Sequence, residues 1–287
     1  MMWFILALLT AFFTSLQDVL GKKIVHKVDV YIISWGWMFF SLPFLYVYLF
    51  VQGIPPIGQD FAIALTVSSA ILIFASVLYF KAIKHSDLSV TMPMLTFTPL
   101  FLLVTSPVIL GEFPGWLGVV GILLIVSGSY VLYFQHRREG CWEPFKKLLR
   151  EKGPRYMLVV ALMYSVGANL DKIGVLNSSP LMWIAALNTV IAGAIWIMMQ
   201  FKVKDIKVQI ISVWPILLLI GLCNAISMIF QMTAITMTLV PYLIAVKRTS
   251  VVMTSIFGFL LFKERGMKER LVGAVLMILG VFIISFY

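Results

Sequence analysis

Charged residues are what this chain has least of. They make up 12% of its 287 residues, while hydrophobic residues make up 61%; an ordinary soluble domain carries about 25% charged residues. So few polar side chains cannot cover a water-facing surface, which excludes a soluble enzyme and a disordered chain. Cysteine is scarce too. Cys141 lies in a charged stretch and Cys223 inside an apolar run, so the disulfide framework of a secreted scaffold is excluded as well. The three histidines, His26, His85 and His136, fall in separate loops without metal-ligand spacing. HExxH, P-loop and GxSxG motifs are absent. His85-Ser86-Asp87 has catalytic residue types, but consecutive positions on a loop cannot converge as a triad. No catalytic residue, metal or cofactor is expected, and the chain is read as not an enzyme.

What the chain has in quantity is long apolar sequence. Crossing the hydrocarbon core of a bilayer takes about 20 mostly apolar residues. Ten such runs stand near 2–20, 30–51, 60–80, 88–110, 114–134, 156–173, 180–201, 209–233, 239–261 and 270–287. The expected fold is therefore an all-α polytopic membrane protein of ten helices. The stretch from Met1 to Val19 lacks a basic leader and a small-residue cleavage site, so it reads as a retained first span. Most connections are short, so neighbouring spans are antiparallel. The exception is the charged stretch His136–Arg155, within which residues 139–153 form a linker between a first five-helix repeat, 1–138, and a second, 154–287.

The halves are related in sequence. An ungapped offset of 152 superposes Ala82-Ile83 on Ala234-Ile235, Glu112 on Glu264, Gly121 on Gly273 and Gly128 on Gly280. An offset of 150 superposes Ala11 on Ala161, Ser15 on Ser165 and Lys22 on Lys172. A duplicated unit with an odd number of spans inserts the second time upside down, the inverted repeat of many secondary transporters, whose substrates bind near the midplane. Loop charge agrees. Of the 22 lysines and arginines, 19 follow the odd-numbered spans. The positive-inside rule puts that side, linker included, in the cytoplasm and both termini outside. The net charge of +10 is thus orientation information, and no nucleic-acid partner is implied.

Ionisable residues inside spans are costly and are functional candidates by default. Lys247 and Arg248 lie six and seven residues past Pro241, too deep to snorkel to a surface. One reading makes them the counter-charge of an anionic substrate, lysine as a point charge and arginine as a two-pronged donor. The other makes them half of an internal ion pair with Asp18 or Asp171. Asp18 lies near the inner end of the first span, and Asp171 and Lys172 near the outer end of the sixth. Uncharged polar candidates at similar depth are Asn224 and Gln231, seven apart on one helix face, with Tyr164, Thr96 and Tyr79. Any one of these is as well explained by a helix–helix hydrogen bond. Pro93, Pro99 and Pro107 predict a bend in the fourth span close to the site. Glu112 and Glu264 read as helix stops.

These residues carry a resemblance. Thr98-Pro99 through Gly111-Glu112 at the end of the fourth span, and Ala245-Val246-Lys247-Arg248-Thr249-Ser250 through Gly258 to Lys263-Glu264 in the ninth, resemble the drug/metabolite transporter superfamily, specifically its EamA-type members. The likeness covers nearly the whole chain. It implies a secondary transporter working by alternating access. Within the superfamily, plastid sugar-phosphate/phosphate exchangers carry a Lys-Arg pair on the ninth helix that holds phosphate, and Lys247-Arg248 is similar to it. Those exchangers have a further basic residue on the first-half side of the site, whereas the third and fourth spans here contain no mid-span lysine or arginine. A carboxylate needs less positive charge than a phosphate ester. The superfamily's members usually keep both termini in the cytoplasm, and the loop charges here point the other way. The expectation is a carrier of a small anionic metabolite in the cytoplasmic membrane, working by exchange, with Asp18 the residue to couple protons if it does not exchange. Alternatives are a lipid-phosphate flippase and a proton-coupled exporter of amino acids or metabolites. The partners expected are a small-molecule substrate and the lipid bilayer, with the chain a monomer or homodimer.

Overall fold

The computed structural model describes residues 2–86, 91, 94–132, 151–262 and 267–286. Most of the linker, together with His136, Cys141, Asp87, Pro93, Lys263 and Glu264, lies outside these residues. Among the described residues there is no β-strand, and twelve helices follow one another: α1 (Met2–Ile24), α2 (Val30–Phe39), α3 (Leu42–Gln52), α4 (Phe61–His85), α5 (Thr98–Leu110), α6 (Trp116–Leu132), α7 (Lys152–Leu176), α8 (Pro180–Lys202), α9 (Ile206–Ile235), α10 (Val240–Lys247), α11 (Ser250–Phe262) and α12 (Met267–Ser285). Six stretches are long and apolar enough to cross a membrane: α1, α2 with α3, α4, α7, α8 and α9; α5, α6 and 272–285 are shorter apolar helices.

Three of the runs expected to be continuous are broken. Run 30–51 divides at Phe40–Ser41, before Pro43 at the start of α3. Proline removes a backbone donor, and Ser41 bridges the break: its Oγ donates to the Met38 carbonyl at 2.6 Å and accepts from Asn188 Nδ2 at 2.8 Å. The fourth run breaks at Thr96–Phe97, just before Pro99 in the first turn of α5, which sharpens the expected bend into an interruption. The ninth breaks at Arg248–Thr249 with no proline at or just after the break, Pro241 standing back in the first turn of α10. The last two breaks share one bonding pattern. Phe97 N–H reaches the Met94 carbonyl at 3.3 Å and Thr249 N–H the Val246 carbonyl at 3.0 Å, the three-residue bonds of a tightened turn.

Helix boundaries recur at the sequence offsets. Val30–Gln52 and Pro180–Lys202 differ by 150, and α5 and α11 by 152. Packing recurs likewise. α4 lies against α7 as α1 lies against α9, while α6 packs on α12 and α2 and α3 on α8. The repeated glycines explain the closest of these contacts. A Cβ on Gly128 would stand 2.6 Å from the Gly273 carbonyl oxygen, and one on Gly280 would stand 2.5 Å from that of Gly121. Only glycine lets the two backbones approach this far, the usual device of helix pairs in lipid. Gly111, at φ 68°, ends α5 in the left-handed conformation, as a C-terminal glycine does.

The connections gather at two ends. At one, Asp29 N–H donates to Gln209 Oε1 at 2.7 Å, Lys202 Nζ to Tyr31 Oη at 3.1 Å and Lys22 Nζ to the Ser86 carbonyl at 3.1 Å. At the other, Gly58 N–H donates to the Asn177 carbonyl at 2.8 Å and Lys172 pairs with Glu112 at 2.5 Å.

Candidate functional site

Between these ends lies a cavity of about 90 Å³, several times the roughly 10–15 Å³ that one water requires by the same measure. Both halves of the chain build it: Thr14, Gln17 and Asp18 from α1, Trp37 from α2, Ser76 and Tyr79 from α4, Tyr164 and Asp171 from α7, Asn224, Ser227 and Gln231 from α9, and Ile244, Lys247 and Arg248 at and after α10. α10 stops at Lys247 because the chain breaks at the next residue, so both cations stand at a helix end in mid-bundle.

The ionisable groups all lean on neutral partners. Lys247 Nζ donates to Gln231 Oε1 at 2.5 Å, and Arg248 Nη2 donates to Thr98 Oγ1 at 2.8 Å. Arg248 is 3% exposed, and its Nε has no hydrogen-bond partner among the described residues. Asp18 accepts from the Tyr79 hydroxyl on one oxygen and from Thr254 Oγ1 on the other at 3.3 Å. Asp171 accepts from Trp183 Nε1 at 2.9 Å. Neither cation lies within 4.0 Å of a carboxylate oxygen of a described residue. Desolvating a charge costs several kcal/mol, and here no direct ion pair offsets that cost. Aromatic rings complete the wall, Trp37 with its centroid 5.7 Å from that of Tyr79, and Tyr79 6.5 Å from Tyr164.

Of the residues expected at the site, Lys247, Arg248, Asn224, Gln231, Tyr79, Tyr164 and Asp18 are brought together. Thr96 is not. The break at Thr96–Phe97 turns it to α6, where its Oγ1 donates to Ser129 Oγ at 2.9 Å, and its neighbours Leu95 and Thr98 serve the site instead. Asp18 and Asp171 stand in the last two turns of α1 and α7, which run on to Ile24 and Leu176, and both also reach the cavity wall, so the cavity holds two acids as well as two bases. Sequence reasoning missed Gln17 and Thr98, polar residues in apolar runs that could have been found, and Trp37, which nothing in the sequence separates from a lipid-facing tryptophan.

A bundle whose described elements are all helices, with membrane-length apolar spans packed around a cavity of buried charges, defines a polytopic membrane protein. The family model of the EamA-like transporter family matches residues 1–134 and again 152–286. The chain belongs to that family, and is thus a membrane transporter of the drug/metabolite type. Among the solved structures that match the chain, one crystal structure does so with a TM-score of 0.74 and 14% sequence identity, covering 98% of this chain and 96% of the other, a likeness of fold. No curated protein sequence matches the chain.

Proposed function

We propose that the protein is a secondary transporter of a small metabolite bearing an anionic group, a carboxylate or a phosphate, which Lys247 and Arg248 bind. One observation carries this: two cations line the cavity without a carboxylate of any described residue within 4.0 Å, and among the described residues each donates to a neutral oxygen. A ligand anion would supply the charge-assisted bonds they lack. The halves 1–138 and 154–287 act as two inverted five-helix repeats, joined by the 139–153 linker, that rock about the cavity in alternating access. The equal helix boundaries, the exchanged packing pairs and the placement of lining residues in both halves support that reading. Asn224, Gln231, Tyr79 and Tyr164 then orient the substrate. The protein sits in the cytoplasmic membrane with both termini outside, as the loop charges imply.

The test is a thermal-shift screen of purified protein against phosphate esters, carboxylates, amino acids and amines. A ligand at 100 times its Kd stabilises by about 2.7 kcal/mol. Lys247→Gln and Arg248→Gln are each expected to weaken binding of the responding anion by about 1.5–3 kcal/mol, the worth of a hydrogen bond to a charged group, with the unliganded Tm little changed. Binding that survives both substitutions overturns the assignment.

A second reading rests on Asp18 and Asp171 lining the same cavity. A substrate that also carries an ammonium group would find an acidic partner there, and amino acids would then outperform simple anions in the same screen.

A further inference from the structure

Past Asp171 the cavity wall leads directly into a second constellation. Lys172 is the next residue of α7, and its Nζ lies 2.5 Å from Glu112 Oε1 and donates to the Thr238 carbonyl at 2.9 Å. The other oxygen of Glu112 accepts from Val240 N–H at 3.1 Å. The side chains are only 13% and 16% exposed. These bonds fasten together the end of α5, the end of α7 and the α9–α10 connection. Just beyond, Gly115 N–H donates to Tyr242 Oη at 3.1 Å and ties in the α5–α6 connection. Val240 begins the helix that ends in Lys247, about 10 Å further along at 1.5 Å per residue. The constellation therefore sits above the cavity, at one end of the bundle.

We propose that the Lys172–Glu112 pair is a latch that holds the cavity shut toward this end and must break for substrate to pass. The inference rests on the alternating-access reading but not on the charge of the substrate. Two features set the pair apart from a helix stop. It joins elements from both halves, Glu112 from the first and Lys172 and the α9–α10 connection from the second, which are the parts alternating access has to separate. It also has a counterpart at the opposite end. Lys22, the repeat-mate of Lys172, donates to the Ser86 carbonyl at 3.1 Å, just as Lys172 donates to that of Thr238, the mate of Ser86. One lysine per half thus grips the same carbonyl position at opposite ends of the bundle. A packed interface with two discrete arrangements is the usual element of such switching. The Lys172–Glu112 ion pair adds a specific, breakable contact at this end.

The test uses the full chain with Cys141→Ser and Cys223→Ser, and Ile244→Cys as a reporter on the cavity wall. Labelling by an impermeant methanethiosulfonate is followed without substrate in right-side-out and inside-out vesicles. Lys172→Gln and Glu112→Gln are each expected to speed labelling from one side by about tenfold, the change in open population for a lost contact of about 1.4 kcal/mol. The exchanged pair, Lys172→Glu with Glu112→Lys, should return the rate toward the parent's. Unchanged labelling from both sides in the single variants overturns the latch. Where a single variant does not give monodisperse protein, Glu112→Cys with Lys172→Cys, joined by a bifunctional thiol reagent, carries the test. Joined protein should label more slowly than unjoined, and equal rates overturn the proposal. Because no substrate is present, failure here leaves the anion-binding screen untouched, and failure of that screen leaves this result standing.

Discussion

At the scale of single residues, Gln231 Oε1 and Thr98 Oγ1 are neutral acceptors, so Lys247 and Arg248 are positioned without being neutralised by contact. Asp18 differs: both its oxygens are already engaged, by Tyr79 and Thr254. Those bonds tie α1 to α4 and α11, and under the exchange reading no proton has to pass through Asp18. The prediction is that Asp18→Asn, which keeps an acceptor for Tyr79, retains counterflow, with proteoliposomes loaded with unlabelled substrate taking up label much faster than empty ones. An empty site with two buried cations that no described carboxylate contacts reorients reluctantly, and a bound anion relieves that penalty. Equal uptake with and without internal substrate in the parent, together with lost uptake in Asp18→Asn, would mean proton coupling instead. The cations were legible in the sequence because charge inside an apolar run is costly and therefore conspicuous. Trp37 was not, because an aromatic residue is at home in lipid, protein and cavity alike.

At the scale of elements, the interruptions place the site. Lys247 ends α10 and Arg248 begins the break after it, so the break itself turns two adjacent side chains into the cavity wall. The fourth run breaks at the equivalent point, where Thr98 then caps Arg248. Proline marks one break and not the other, so composition alone cannot locate both. The glycine pattern is more informative. Gly121, Gly128, Gly273 and Gly280, matched in sequence as repeat-mates, meet as the α6–α12 interface. Gly128→Leu is expected to cost about 1–3 kcal/mol, the range for overpacking a filled interface. Gly193→Leu, where a Cβ would find nothing within 4 Å, should leave stability near that of the parent. Thermal unfolding of detergent-solubilised protein measures both, and equal losses would contradict the packing argument.

At the scale of the whole molecule, loop charge predicts an orientation with both termini outside. With 19 of 22 basic residues after odd-numbered runs, a cysteine placed in 54–57 should react with an impermeant thiol reagent outside intact cells, and one placed in 204–207 should not. Reversed labelling would put the termini in the cytoplasm. Composition, run length and the repeat offsets by themselves determined that the chain is a helical membrane protein built from two related halves, because hydrophobicity over about 20 residues is a local property and duplication leaves a constant spacing. They also marked most of the polar residues that meet in the cavity. Only the tertiary structure decided that Thr96 turns away to Ser129, that Asp18 and Asp171 reach the cavity, and that Lys172 grips Glu112 from the other half. Those outcomes depend on where helices break and which faces meet. Both are set by contacts between residues more than a hundred positions apart, such as Asn188 with Ser41 and Arg248 with Thr98, and no local pattern encodes them.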